Sequence, residues 1–187
     1  MDLKYKKIIT DDLSQELETF SDGLRPMISF IKSQNKQNLI GVEIGTYKGK
    51  NAKLILDNLD IKQLYCIDPW IDNELKVNGK SILEETNQRL KTYNNAWIIV
   101  EKSDNAVRYI QELVDFIYID GNHSYMQVKK DLIHYYPKLK KHGIIGGHDF
   151  YASEMGVVQA VIEFALENNL TLYGDVIDWW FKKEVIV

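Results

Sequence analysis

Glu43, Asp68, Asp120, His123, His148 and Asp149 all stand at the ends of apolar runs in the 187-residue chain, where side chains can meet a ligand rather than a core. His123 follows Asp120 by three residues, in Asp120-Gly121-Asn122-His123. An imidazole titrates near neutrality and can take a proton from a hydroxyl, while the neighbouring carboxylate can polarise that hydroxyl or hold a cation. Glu43 opens a turn, Glu43-Ile44-Gly45-Thr46-Tyr47-Lys48-Gly49, that reads E-x-G-x-x-x-G. Glycines at such a turn let backbone approach a ligand, and a following helix start offers unpaired N–H groups. The nicotinamide fingerprint G-x-G-x-x-G is not written here, and an acid inside the strand end suits a ligand with a cationic part better than a pyrophosphate. The alternatives are structural: loop acids satisfied by backbone N–H groups, and a loop histidine bonded to backbone.

These residues need a scaffold that brings strand ends together. Apolar runs at 39–44, 63–67, 97–100, 116–119 and 143–145 alternate with helical patterns, which predicts right-handed crossovers and a parallel sheet. In such a sheet Glu43 and Asp68, 25 residues apart, both face one crevice at the carboxyl edge. Ser103-Asp104 reads as a cap ahead of Val107, Ile110 and Leu113, and Ser124 to Gln127 fits a capping box ahead of Val128, Leu132 and Tyr135, in a helix that Pro137 ends. A helix over 157–166 stops at Asn168-Asn169. Two β-rich runs follow, 170–173 and 179–187, with Gly174-Asp175 between them. Residues 1–37 form a polar helical extension, with Leu17 and Phe20, then Leu24, Met27, Ile28 and Ile31, at amphipathic spacing. The stretch from Trp70 to Ser81, with Asn78-Gly79, reads as a surface loop or a lid over the site.

The glycine turn resembles the first motif of class I S-adenosylmethionine-dependent methyltransferases. Leu64-Tyr65-Cys66-Ile67-Asp68-Pro69-Trp70 resembles their second motif, and residues 115–125 and 143–150 resemble the fourth- and fifth-strand motifs. The DPW, IDGxHxY and GHDF combination is most similar to small-molecule O-methyltransferases, several of which act on sugars and some of which use a divalent metal. The resemblance runs over residues 38–187 and implies an α/β, Rossmann-like, doubly wound, seven-stranded, mostly parallel sheet with a reversed C-terminal hairpin strand. It implies S-adenosylmethionine as cofactor, with Glu43, Gly45, Thr46, Tyr47, Gly49, Asn51, Asp68, Trp70, Ser103 and Asp120 around it. Asp68 would grip the ribose diol; Ser103 stands where relatives contact adenine, although it is equally a helix cap. Asp120 and His123 would be catalytic. Asp120, His148 and Asp149 would hold magnesium or manganese, the histidine favouring manganese, unless the site works without metal.

Composition narrows the partners. A net charge of −4 without a basic stripe argues against nucleic acid, and no apolar run approaches the length of a membrane span. The expectation is a cytoplasmic enzyme, monomeric or homodimeric, that methylates a small-molecule hydroxyl such as that of a sugar or glycosylated metabolite. Two rivals stay open: a non-catalytic cofactor-binding module and a nucleotide-dependent oxidoreductase. Cys66, the one cysteine, reads as a buried structural thiol.

Overall fold

Successive side chains in a strand point to opposite faces, and the central strands carry apolar residues on both. That pattern demands cover on each side of the sheet. The computed structural model describes residues 23–71 and 81–184. Its strands are β1 (Leu39–Ile44), β2 (Ile61–Asp68), β3 (Ala96–Val100), β4 (Val114–Ile119), β5 (Leu139–Gly147), β6 (Tyr173–Asp175) and β7 (Asp178–Lys182). The helices are α1 (Pro26–Ser33), α2 (Lys50–Asn58), α3 (Ile82–Leu90), α4 (Ser103–Ala106), α5 (Tyr125–Tyr135) and α6 (Met155–Glu167). The seven strands lie in the order β3-β2-β1-β4-β5-β7-β6. β1 to β5 pair in parallel, and β7 alone is reversed, antiparallel to both β5 and β6.

One face buries Val42, Ile44, Ile67, Ile117 and Ile119 with residues of α5 and α6. The other buries Leu64, Cys66, Phe116 and Tyr118 with α1 and α2. Cys66 is a buried free thiol, as its apolar strand predicts. Met27 and Ile28 of α1 are fully buried in the second cluster, together with Trp180 of β7. The segment read as an extension thus supplies core to the sheet; Leu17 and Phe20 lie outside the described residues, as does most of the 70–81 loop.

Three local expectations are corrected. Ser124 caps α5 without a side-chain hydrogen bond, because Gln127 turns its amide to Ser103, Asp104 and Asp131 instead of back to the cap. Ser103 lies inside α4, whose N-cap is Lys102, and the helix gives way to a 3-10 turn at Val107–Tyr109. Gly174 and Asp175 belong to β6 and the turn falls at Val176 and Ile177. Asp178, one residue after the turn, is buried in β7, where its carboxylate accepts from the Tyr118 hydroxyl and the Met27 N–H. A capping box does form at Ser81, where Ser81 and Glu84 bond reciprocally ahead of α3.

Candidate active site

Between β1 and β4 the crossovers leave in opposite directions, and the carboxyl ends of the strands open there into a crevice. A cavity of about 540 Å³ occupies it, with Gly45, Tyr47, Asp68, Ser103, Asp120 and His123 on its wall.

Gly45 has φ +87°, and a Cβ there would lie 2.0 Å from the Asp120 carbonyl oxygen. Only glycine lets the turn after β1 touch the tip of β4 this closely. The Gly45 N–H bonds the Ile67 carbonyl at 2.8 Å and the Asp120 N–H bonds the Ile44 carbonyl at 2.8 Å, so three strand tips are tied at one point.

Asp68 joins two loops. Its Oδ2 accepts from the Tyr47 N–H at 2.9 Å and its Oδ1 from the Trp70 N–H at 2.7 Å. Trp70 donates its indole N–H to the Tyr47 carbonyl at 2.8 Å, and lines a smaller side cavity of about 140 Å³ rather than the main one. Each Asp68 oxygen keeps a lone pair for a ligand.

Glu43 lies behind the glycine turn, 1% exposed and off the cavity wall. The Asn51 amide donates to its Oε1 at 3.0 Å, and burial pushes its carboxyl up to about 7. Thr46, Gly49 and Asn51 likewise build the turn without reaching the wall; Gly49, at φ +69°, caps α2. The buried Glu43 Oε2, Thr46 Oγ1 and Asn51 Oδ1 lack hydrogen-bond partners, an unmet demand in the same place.

The chemistry-bearing groups meet at the tips of β4 and β5. His123 Nε2 is 3.0 Å from Asp149 Oδ2 and 3.8 Å from Asp120 Oδ1, and its Nδ1 is 3.7 Å from Glu154 Oε2. Ligand atoms of Asp120, His123 and Asp149 fall within 4.8 Å of one another. His148 stands outside this group: its Nδ1 is 3.0 Å from Asp149 Oδ1, the carboxylate oxygen turned away from His123. The cluster that forms is Asp120, His123 and Asp149, whereas the metal set expected from the resemblance named His148 beside the two acids; one Asp149 oxygen lies near each ring. Asp120, then the charges of Asp149 and Glu154, hold His123 above the ordinary histidine range against its partial burial. Burial alone would raise Asp149, but the His148 hydrogen bond and the charges of His148, His123 and Arg25 hold it below the usual carboxylate range.

Arg25, at the N-cap of α1, enters the site from the far side. Its Nη1 donates to Asp120 Oδ2 at 2.6 Å and to the Tyr118 hydroxyl at 3.0 Å; Tyr118 in turn donates to Asp178 Oδ1 at 2.8 Å. Arg25, Tyr118 and Asp178 were not singled out from sequence. The available signal was a charge inside an apolar stretch, Arg25 between Leu24 and Met27 and Asp178 between Ile177 and Trp179. Asp131 is a similar omission, sitting on the apolar stripe of Val128, Leu132 and Tyr135. His134 and His142 are exposed, and the Trp179-Trp180 pair is buried as core.

The profile of a family described as a methyltransferase domain matches residues 42–150. The chain belongs to that methyltransferase domain family. This leaves the oxidoreductase alternative without support. Protein R132 of Acanthamoeba polyphaga mimivirus is 33% identical over 121 residues, 62% of this chain and 53% of its own length. The chain thus spans about half the length of that relative. Among solved structures, an rRNA methylase from Streptococcus thermophilus is similar at 17% identity and TM-score 0.63, covering 86% of this chain and 98% of that chain. A methyltransferase from Podospora anserina bound to S-adenosylhomocysteine has 16% identity and TM-score 0.61, covering 85% and 76%. The TDP-rhamnose 3'-O-methyltransferase of calicheamicin biosynthesis has 13% identity and TM-score 0.64, covering 86% and 82%. These likenesses share the fold across unlike acceptors. No helix among the described residues is long and apolar enough to cross a membrane.

Proposed function

We propose that this methyltransferase domain binds S-adenosylmethionine in the 540 Å³ cavity and transfers its methyl group to the hydroxyl of a small molecule, a sugar or glycosylated metabolite among the candidates. The observation that carries the acceptor chemistry is the meeting of Asp120, His123 and Asp149 beside the cavity. Asp68 offers oxygens to a ribose diol from one side. Glu43, buried behind the glycine turn and off the cavity wall, would act on the methionine portion through the turn that it and Asn51 hold together.

The sulfonium already activates the methyl group, so the chain's main task is to align hydroxyl oxygen, carbon and sulfur. His123 takes the hydroxyl proton. Glu154 beside Nδ1 favours the tautomer with its hydrogen there, leaving the Nε2 lone pair for that proton, and Asp149 beside Nε2 stabilises the imidazolium that forms; Asp120 faces the same space with Oδ1 while Arg25 holds Oδ2. A base so placed contributes roughly 10²- to 10⁴-fold.

The same three residues fit a divalent ion: two carboxylates and an imidazole suit manganese better than magnesium, which prefers oxygen alone. Bound there, the ion would polarise the acceptor oxygen. At Nε2 the two roles of His123 exclude each other, since a metal-bound nitrogen has no lone pair for a proton. Calorimetry with S-adenosylhomocysteine, followed by methyl transfer to a panel of sugars and phenols with and without Mn²⁺, tests this reading. Cofactor binding without turnover on any hydroxyl acceptor would favour the non-catalytic module instead.

A further inference from the structure

Helix α6 begins beside the histidine. Glu154 is its N-cap, and the Glu154 carbonyl accepts from the Val157 N–H at 3.0 Å, so the Glu154 backbone moves with the helix. Gly156, the second residue of α6, is not among the residues with positive φ, so its backbone conformation requires no glycine, and inside a helix glycine is a poor choice. Contact supplies the reason. A Cβ at Gly156 would lie 2.4 Å from the His123 carbonyl oxygen, 2.7 Å from the Tyr125 nitrogen and 3.2 Å from the Ser124 carbonyl carbon. All three are backbone atoms, which cannot swing aside as the end of a side chain can. The first turn of α6 therefore rests on the main chain that carries His123 into α5. Farther along, the Tyr125 hydroxyl donates to Glu163 Oε2 at 2.6 Å, and Val128 and Val157 share one core cluster, so the two helices are joined beyond the glycine as well.

A seat this close decides a competition at the imidazole ring. Asp149 Oδ2 lies 3.0 Å from Nε2, and Glu154 Oε2 lies 3.7 Å from Nδ1. A neutral ring has one hydrogen to share between the two carboxylates: on Nε2 it closes the lone pair that faces Asp149, on Nδ1 it leaves that lone pair open. We propose that Gly156 is a positioning residue: by letting α6 settle on the His123 backbone it brings Glu154 to Nδ1, which keeps the hydrogen there and leaves Nε2 open to the acceptor hydroxyl. This rests on the base role of His123 proposed above. A side chain at position 156 would lift the start of α6 and withdraw Glu154. Asp149 would then draw the hydrogen to Nε2, where the ring can no longer take a proton.

Long-range proton–nitrogen NMR correlation of the His123 ring, in chelator-treated protein at a pH above the histidine's titration, reports which nitrogen carries the hydrogen. The wild type should hold it chiefly on Nδ1, and Gly156→Ala and Glu154→Ala should both move it to Nε2. With an alcohol acceptor, kcat should fall about tenfold or more in both variants while KM and the affinity for S-adenosylhomocysteine stay close to wild type. Glu154→Gln, which keeps an acceptor for Nδ1–H, should recover part of the loss. A wild-type ring with its hydrogen on Nε2 overturns the assignment, as does an unchanged ring in a folded Gly156→Ala. Failure of Gly156→Ala to fold would support the close contact, and Glu154→Ala then decides: an unchanged ring there overturns the assignment too. A wild-type ring protonated on Nδ1 that shifts in the variants, in a protein that methylates no alcohol, would uphold the seat and overturn the base reading instead.

Discussion

Arg25 and Asp120 lie 95 residues apart in the chain and 2.6 Å apart in space. The pair carries the influence of the first described helix onto a residue of the candidate catalytic group, from outside the 42–150 segment that the family profile covers. Arg25→Ala would leave Asp120 Oδ2 and the Tyr118 hydroxyl each short of a donor. We expect a loss of about 1–3 kcal/mol in urea unfolding and a fall in turnover, with affinity for S-adenosylhomocysteine nearly unchanged. Full turnover in a folded Arg25→Ala would show that Asp120 needs no such restraint.

Asp68→Ala removes the acceptor shared by two loop N–H groups and offered to the ribose diol. Affinity for S-adenosylhomocysteine should drop by about 1.5–3 kcal/mol, roughly ten- to hundredfold, in calorimetry. Equal affinity would take Asp68 out of the binding site.

His123 sits above its ordinary range because of the carboxylates around it. As a base it works deprotonated, so turnover should rise with pH through a value above the usual 6.5 or so. His123→Ala should lose turnover at every pH while keeping cofactor affinity. A flat pH profile in the wild type would hand the proton to another group. If Mn²⁺ instead shifts the profile, and chelation abolishes turnover, the histidine serves as ligand.

Stability should carry its own pH signature. Burial raises Glu43 to about 7, and Asp131 and Asp178 to about 6. A carboxyl whose folded value is raised binds its proton more tightly in the native state. Its stabilising share is therefore complete below the unfolded value near 4, and is lost as pH rises through the folded one. His123 is also raised and acts in the same direction. Asp149 is depressed, so its share is present above the unfolded carboxylate range and is lost only in more acidic solution. From about pH 5 to 8 the unfolding free energy should fall by several kcal/mol, on the order of 5. A flat or rising profile over that window in urea titrations would show that folding does not raise these carboxyls.

Gly45→Ala tests the geometry of the turn. A methyl group there meets the Asp120 carbonyl and an unfavourable positive φ together. The cost should exceed about 2 kcal/mol and extend to cofactor affinity, because the strand tips must part.

The parallel sheet and its carboxyl-edge crevice were readable, because strands buried on both faces write continuous apolar runs such as Leu39 to Ile44 and carry Asp68 and Asp120 at their tips. The reversed β7 was available only through resemblance, since periodicity reports spacing and not neighbours. Within the site, spacing placed Asp120 beside His123 but could not say which histidine faces which oxygen of Asp149. In space, Oδ2 faces His123 and Oδ1 faces His148. Arg25, Asp131 and Asp178 were passed over because a lone charge in an apolar run carries no clue to its partner: Arg25 pairs with Asp120, Asp131 with Ser103, and Asp178 with Tyr118.

The bond from the Met27 N–H to Asp178 spans 151 residues. Asp178 holds Tyr118, Tyr118 meets Arg25, and Arg25 grips Asp120, so the chain of bonds restraining the candidate catalytic acid is complete once β7 has joined the sheet. During synthesis, residues 42–150 leave the ribosome before that clasp can form. Contacts this distant in sequence form slowly, so a nascent or truncated chain lacking Asp178 should assemble the cofactor-binding strand tips while Asp120 remains unrestrained, making methyl transfer a late acquisition of folding.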